Sequence, residues 1–361
     1  MPGSYRKLLV TGGSGFIGIN LIERLLREKD LSIVNLDKLT YASNRNSTID
    51  TRYNSHYFFE KVDLCDLEKL HQILELHKPD AVIHLAAESH VDRSIRAPEA
   101  FIKSNILGTY NLLQVCLSYW KKTLSGANSF RFLHASTDEV YGSLAEGAPS
   151  FSESAPYAPN SPYSASKASS DHLVRAWGNT YGFPAIIAHS CNNFGSYQHP
   201  EKFIPQIIQK CLRGEVIPVY GNGQNIRDWI YVEDHAEALC VLLDKGQVRE
   251  SYNIGAENEI KNLDLVFTVC RIIQELKPFS KSCVPESTHN ELSREIEGYE
   301  DLVSFVSDRP GHDFRYSINP SKINSELGWR AKHDFRSSLS KTIQWYMDKE
   351  TSGLDYSTVE N

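Results

Sequence analysis

The stretch Lys7-Leu8-Leu9-Val10-Thr11-Gly12-Gly13-Ser14-Gly15-Phe16-Ile17-Gly18 decides the architecture. It opens as an apolar strand and passes through glycines at positions 12, 15 and 18 into an amphipathic helix. Gly12 allows a tight turn, Gly15 lets backbone N–H groups approach a pyrophosphate, and Gly18 lets the helix lie close on the sheet. The helix N-terminus attracts the anion. A second apolar strand, Ser32-Ile33-Val34-Asn35-Leu36, ends in Asp37, about 20 residues on, where an acid that bonds ribose hydroxyls belongs. A glycine triplet alone is a weak signal, but strand, turn, helix and acid in this order predict a dinucleotide site. A carboxylate at Asp37 repels a 2′-phosphate and favours NAD over NADP, while Lys38 beside it pulls the other way.

Outward from that turn, the apolar runs 81–86, 130–135 and 185–188 alternate with helix-period segments. The alternation predicts a doubly wound parallel α/β sheet flanked by helices. Ligands of such sheets bind outside the carboxyl ends of the strands, and Ser136-Thr137-Asp138-Glu139 falls at one of them. After about residue 191 the alternation loosens, which points to a second, smaller lobe. The expected partition is residues 1–191 plus about 226–249 for the first lobe and 192–225 plus about 250–347 for the second. Segment 277–300 reads as a surface excursion and 348–361 as a polar tail.

The chain has 361 residues, 41% of them hydrophobic, and a formal charge of −7. It can bury a large core and has no face-sized Lys/Arg cluster, which argues against a nucleic-acid surface. The cysteines at 65, 116, 191, 211, 240, 270 and 283 form no CxxC pair. They read as reduced thiols rather than a disulfide frame, and no zinc spacing or other metal site is expected. The N-terminus enters a strand almost at once and no long apolar run follows, so neither a signal peptide nor a membrane span is expected. The reading points to the cytoplasm.

Two further runs carry chemistry: Ser136-Thr137-Asp138-Glu139-Val140-Tyr141-Gly142 and Tyr163-Ser164-Ala165-Ser166-Lys167. Ser161 can cap a helix that opens with Pro162, which places Tyr163 and Lys167 one turn apart on the same face. A tyrosine titrates near about 10, so a phenolate base needs a nearby cation; Lys167 and a nicotinamide charge are the expected sources. Two adjacent carboxyls cannot easily both ionise in a shared site, so one can stay protonated as acid while the other serves as base. Tyr and Lys four residues apart are common on ordinary helices, and acidic dipeptides are common in turns. The combination with the dinucleotide signal is what favours catalysis.

The chain resembles the extended short-chain dehydrogenase/reductases and, among them, the dTDP-glucose 4,6-dehydratases. The resemblance runs through Asp37-Lys38-Leu39-Thr40-Tyr41, Leu85-Ala86-Ala87-Glu88-Ser89, the Thr-Asp-Glu and Tyr163/Lys167 runs, Asn192-Asn193-Phe194-Gly195, Pro200-Glu201-Lys202-Phe203, Ile226-Arg227-Asp228-Trp229 and Asp308-Arg309-Pro310-Gly311-His312-Asp313. It implies a Rossmann-type doubly wound parallel sheet with a smaller α/β substrate-binding lobe, and a homodimer; the helix 104–119 and the helix beginning near Ser164 can form its interface, their apolar stripes serving equally as intramolecular core. The implied reaction turns a nucleoside-diphosphate hexose into its 4-keto-6-deoxy product, with NAD taking hydride from carbon 4 and returning it to carbon 6. Tyr163 and Thr137 then act at the 4-hydroxyl, Glu139 at the carbon-5 proton and Asp138 at the leaving 6-hydroxyl.

For the cofactor the resemblance implies Phe16, Ile17, Lys38, Leu39 and Thr40 as contacts. It adds Asp63, Leu64, Leu85, Ala86 and Ala87, then Ser89, Ser104 and Phe194. For the substrate it implies Ser89, Thr137 and Asn193 at the sugar and diphosphate, Arg227 as a diphosphate clamp, and Lys202 with Phe203 at the nucleoside. Pro218, Val219 and Tyr220 fall at the base, and Asn262 with Asp308, Arg309, Pro310, Gly311 and His312 on the far side. Two positions depart from the family pattern, Ser196 and Phe314, both in the nucleotide half, so a uridine nucleotide stands beside thymidine. A nucleotide-sugar 4-epimerase would share the first lobe and Tyr163 but has no use for the Asp-Glu pair. A non-catalytic NAD-binding regulator is a third reading.

Overall fold

The computed structural model describes residues 5–28, 30–44, 55–122 and 130–351. Six strands, β1 (Lys7–Thr11), β2 (Ser32–Asp37), β3 (Tyr57–Lys61), β4 (Ala81–His84), β5 (Arg131–Thr137) and β6 (Ala185–Ser190), join the strand Ser251–Ile254 in one sheet. Its order is Ser251–Ile254, β6, β5, β4, β1, β2, β3, with every pairing parallel. The chain steps one way from β1 to β3 and the other way from β4 onward. The reversal between β1 and β4 opens a crevice at their carboxyl ends. Thr11 stands beside Leu36 on one side and His84 on the other, so Gly12 and Leu85 leave the sheet beside Asp37, the last residue of β2. The strands read as continuous apolar runs because both faces are covered: Leu8, Val10, Ile22 and Leu239 pack on one side, Leu9, Val34, Leu113 and Phe132 on the other.

The helix Pro162–Tyr181 starts as its sequence requires. Ser161 Oγ accepts Ser164 N–H and Ser164 Oγ accepts Ser161 N–H, each at 3.0 Å, and the helix ends in Gly182 with φ 67°. A third apolar cluster, with Ile204, Ile208, Trp229, Val266, Val269 and Ile343, belongs to the later chain. Its strand Ile226–Tyr231 pairs in parallel with Asn192–Phe194 and Arg315–Tyr316 and antiparallel with Glu259–Lys261. Ile217–Tyr220 pairs with Val303–Val306.

These memberships move the expected crossing points. Ile226–Tyr231 lies in the small sheet, so the chain returns to the first lobe at the helix Val232–Lys245 rather than at 226. Ser251–Ile254 is an edge strand of the main sheet, beyond the expected limit of 249. An apolar strand buried on both faces carries no mark of which sheet it serves. Segment 277–300 is more than an excursion: it holds the helix Glu286–Leu292 and anchors Ile296 and Tyr299 in the third cluster. The last helix, Phe335–Thr351, takes in the first residues of the expected tail, and 352–361 lie outside the described residues. Among the described residues no helix is long and apolar enough to cross a membrane, and no group of three His, Cys, Asp or Glu is placed to hold a metal.

Candidate active site

At Gly12, φ is +71° and an added Cβ would lie 2.7 Å from the Ala86 backbone; at Gly18 it would strike Gly12 O and the Gly13 backbone. The fold itself requires these two glycines. Gly15 differs, since its Cβ would meet only Gly12 O, at 3.3 Å. The space above Gly15 is a cradle at the start of the helix Phe16–Leu25, where N–H groups still need an anionic partner.

Asp37 Oδ2 accepts Ser14 N–H at 3.0 Å, and Oδ1 accepts Leu39 N–H at 2.8 Å and Ser43 O–H at 3.2 Å. A carboxylate has about four acceptor sites, which leaves capacity for a ribose hydroxyl. Lys38 turns toward Ser104 Oγ (3.5 Å), Asp63 (3.8 Å) and Glu88 (3.9 Å). Its charge is answered there, which removes its pull against Asp37. Leu85, Ala86 and Ala87 follow directly on β4, Leu85 N–H bonding Thr11 O at 3.1 Å. Leu64 is buried against Gly108, and Phe16 and Ile17 pack on the third cluster. Leu39 has φ 60° and leads into Thr40. Phe194 is only 1% exposed, between the rings of Tyr231 and Phe335, so only its backbone is left to meet a cofactor. Val219 is likewise core, while Pro218 and Tyr220, on the opposite face of the same strand, stay accessible.

Thr137 closes β5, and Asp138–Tyr141 makes one tight helical turn beyond it. Thr137 Oγ1 accepts Glu139 N–H at 3.3 Å and donates to Asp138 Oδ1 at 3.2 Å. Asp138 Oδ2 and Glu139 Oε2 are buried with no hydrogen-bond partner in the protein. Buried unpaired acceptors of this kind mark a place where a ligand completes the bonding. Burial, then the nearby Glu139 and Asp228, push the Asp138 carboxyl well above its ordinary range. Burial also raises Glu139, but Arg309, Arg227 and Lys202 pull it back. Two adjacent carboxyls therefore have divided proton affinities, Asp138 the proton holder and Glu139 the one faced by cations.

Burial and the charges of Glu139 and Asp138 hold the Tyr163 phenol far above its ordinary value, with a hydrogen bond to Thr137 opposing them. Lys167 is not among the charges that lower it. Its Nζ donates to Ala135 O at 2.7 Å, and burial pushes the ammonium down to about 8 against Asp171. In the protein the Lys167 ammonium is held by the β5 backbone, one turn from Tyr163 on the same helix.

Arg227 is 5% exposed, donating to Ile226 O (2.7 Å), Asp313 O (2.9 Å) and Phe314 O (3.2 Å), with its guanidinium 4.2 Å from the Tyr316 ring centre. It is held fixed in the wall of the carboxyl pocket. Phe314 serves through its backbone, as does Ser196, whose O accepts Asn20 Nδ2–H at 3.1 Å. Both family departures therefore sit where residue type matters little to the contacts made. The Asn193 amide bonds Cys191 O, Ser190 and His235 within the protein. Lys202 donates to Ser89 O at 2.6 Å, and Phe203 stacks on Trp229. His312 bonds Asp308 at 2.6 Å, and burial with Arg309 and Arg227 pulls it down to about 4, so it is neutral. Gly311 turns with φ +66° just after Pro310, and Asn262 opens the helix Asn262–Leu276, its N–H on Asn225 O at 2.9 Å. Arg309 Nε is buried without a protein partner.

Three contributors escaped the sequence reading. Asp92 accepts from Tyr220 (3.3 Å) and Arg309 (3.4 Å), joining the two walls of the entrance. Asn105 exchanges bonds with the Glu88 backbone and donates to Ser166 Oγ at 2.8 Å, which in turn donates to Tyr163 O. It lies in π-helical turns, Ile102–Leu107, between Pro98–Phe101 and Gly108–Lys122, so the helix expected from Ser104 begins earlier and is locally widened. A buried polar residue in an apolar helix was the available signal. The third, Asp171, is taken up below.

A glycine-turn parallel α/β sheet with a strand-end Thr-Asp-Glu facing Tyr and Lys defines an extended short-chain dehydrogenase/reductase with an added acid/base pair. A family model described as GDP-mannose 4,6 dehydratase matches residues 9–342. A dTDP-glucose 4,6-dehydratase of Neisseria meningitidis is 50% identical over 347 residues, 96% of this chain and 94% of the relative. The Streptomyces venezuelae dTDP-glucose 4,6-dehydratase, crystallised with NAD and a second ligand, superposes with a TM-score of 0.82 at 38% identity, covering 96% and 98% of the two chains. That of Bacillus anthracis in complex with NAD gives 0.80 at 36%, covering 96% and 97%. The chain belongs to the dTDP-glucose 4,6-dehydratase family.

Proposed function

We propose that the chain is a hydro-lyase that converts dTDP-glucose to its 4-keto-6-deoxy sugar nucleotide and water, with NAD as cofactor. The buried Asp138–Glu139 pair beside Tyr163 carries this reading. Dehydration must remove a carbon-5 proton and protonate a leaving hydroxyl, and two carboxyls of unequal proton affinity serve both needs. Epimerisation at carbon 4 needs neither.

Bound NAD would supply the hydride acceptor for carbon 4 and the hydride donor for carbon 6. The Gly15 cradle fits its pyrophosphate, Asp37 its ribose, and Lys38, Asp63 and Ser104 form the neighbouring wall. Tyr163 takes the proton of the 4-hydroxyl, with Thr137 bonded to the phenol. The ketone formed acidifies the carbon-5 proton, which Glu139 removes, its carboxylate favoured by Arg309, Arg227 and Lys202. Asp138, kept protonated by burial, Glu139 and Asp228, gives its proton to the departing 6-hydroxyl. Reduction at carbon 6 balances the oxidation at carbon 4, Glu139 returns its proton to carbon 5, and the proton taken up by Tyr163 replaces the one Asp138 gave, so one water is the only net loss. Arg309 Nε and the accessible Pro218 and Tyr220 support a nucleotide at the second-lobe end.

The chain acts as a homodimer in this reading. Ile102, Leu107, Tyr110 and Tyr181 are 55%, 45%, 36% and 43% exposed on the two helices expected at the interface or just before them, a patch suited to an isologous helical contact. Seven free cysteines, five of them buried, support a reducing compartment, the cytoplasm. Incubation with dTDP-glucose and, separately, UDP-glucose, read by mass and NMR, tests the reaction. Loss of one water with dTDP-glucose the faster substrate is expected; a mass-neutral conversion would replace the dehydratase with an epimerase.

A further inference from the structure

One turn beyond Lys167 on the same helix stands Asp171, with no exposed surface. It accepts from four side chains: Ser136 Oγ at 2.7 Å, Tyr157 OH at 3.0 Å, His134 Nε2 at 3.1 Å and His189 Nε2 at 3.2 Å. Two of these donors, His134 and Ser136, flank Ala135 on β5. The carbonyl between them is the one that holds Lys167 at 2.7 Å, and the residue after Ser136 is Thr137. Asp171 thus grips β5 on both sides of the point where Lys167 grips it.

We infer that Asp171 is a positioning residue for the reaction, acting through Lys167 and the end of β5. The inference rests on the proposed roles of Tyr163 and Thr137 and on the expectation that the Lys167 charge supports the phenolate. A buried carboxylate is expensive unless fully bonded, and this one is too deep to touch substrate. Against the cost of burial, His134 and His189 hold it far below the ordinary carboxylate range, so it stays ionised. The titratable groups that act on Lys167 or feel its charge are Asp171 on its own helix, His134 on β5 and His84 on β4. Burial pulls His134 down to about 4 and His84 well below its usual value, so neither is charged near neutral pH. Asp171 is the charge that supports the Lys167 ammonium. His134 and His189, bonding a carboxylate through Nε2, carry their protons there.

Two readouts test this. In protein labelled with ¹³C at the lysine ε-carbons, Lys167→Met identifies the Lys167 signal and its titration midpoint is followed. Asp171→Asn is expected to lower the midpoint by about 1–3 pH units, the effect of losing an adjacent opposite charge, and Asp171→Glu to hold it near the wild-type value. In turnover, Asp171→Asn is expected to lower kcat about tenfold with KM within twofold and to move the alkaline limb to lower pH. An unmoved Lys167 midpoint overturns the inference whether or not the protein turns over dTDP-glucose, whereas a wild-type protein without turnover sinks the proposed reaction instead. If Asp171→Asn does not fold, Ser136→Ala decides. It removes one donor and keeps the carboxylate, so the midpoint must stay; a shift as large as a full unit would overturn the role given to the charge.

Discussion

Replacing Asp138 by Asn tests the division of labour between the two carboxyls. Asn is close in shape to a protonated carboxyl: its Oδ1 can still accept from Thr137, and its amide takes the place of the O–H at the unpartnered Oδ2 position. What is lost is the transferable proton. General acid catalysis is worth roughly 10²–10⁴-fold, so kcat for dehydration should fall by that factor, about 3–5.5 kcal/mol of barrier at about 1.4 kcal/mol per decade. Glu139 remains, so in heavy water deuterium should still enter carbon 5 of recovered dTDP-glucose. Stability should move the other way. Asp138 binds its proton more tightly folded than unfolded, so the wild type is most stable below the unfolded value of about 3.9 and loses stability as pH climbs toward the raised folded value. Asn does not titrate. The melting temperature of the variant should therefore overtake that of the wild type above about pH 4, each unit of upward shift being worth about 1.4 kcal/mol. Mass spectrometry, NMR exchange and thermal scans across pH check the three parts. A variant that keeps its dehydration rate, or that melts lower than the wild type at neutral pH, would refute the picture of a carboxyl held against its charge.

Glu139→Gln should abolish both carbon-5 deuterium exchange and dehydration while leaving nucleotide-sugar binding by calorimetry within a few fold. Thr137→Val removes the hydrogen bond that lowers the Tyr163 phenol, so the acid limb of the kcat profile should move to higher pH. Gly15→Ala should melt within about 1 kcal/mol of wild type but lose NAD affinity, whereas Gly18→Ala, whose Cβ meets backbone, should destabilise by about 1–3 kcal/mol or more. Leu107→Glu places a charge in the exposed helical patch and should convert a dimer to monomers in sedimentation or light scattering.

The first lobe was legible because its signals are local. The Gly12-to-Gly18 turn, the alternation of strands and helices, and the Ser161-Pro162 start each depend on a few adjacent residues, and each appears in the structure. The crossing points were not legible, since Ile226–Tyr231 and Ser251–Ile254 are both short buried strands and only their pairings separate them. The roles of Phe194 and Val219 were blurred for a related reason: a motif gives proximity to a ligand but not which side of the chain faces it. Helical spacing puts Lys167 on the Tyr163 face, but spacing cannot reveal that Ala135 O holds its ammonium. Asp171, another turn along the same face, was within reach of that logic, but its meaning depends on His134 and His189 from two neighbouring strands.

The same dependence on distant residues shapes the carboxyl pair. Asp138 and Glu139 are neighbours at the end of one strand, and burial with the charge of Glu139 already raises Asp138 within their own turn. The later chain adds to the division: Asp228 pushes Asp138 further up, Arg309 and Lys202 draw Glu139 down, and Arg227 acts on both. Arg227 is fixed by the carbonyls of Asp313 and Phe314, and Asp228 by the N–H groups of Ala256 and Asn258. The second lobe therefore does more than offer a surface for a nucleotide. Its packing helps set which carboxyl keeps the proton, and a substitution that loosens the 313–314 loop, far from the sugar in sequence, should alter the pH dependence of dehydration before it alters the fold.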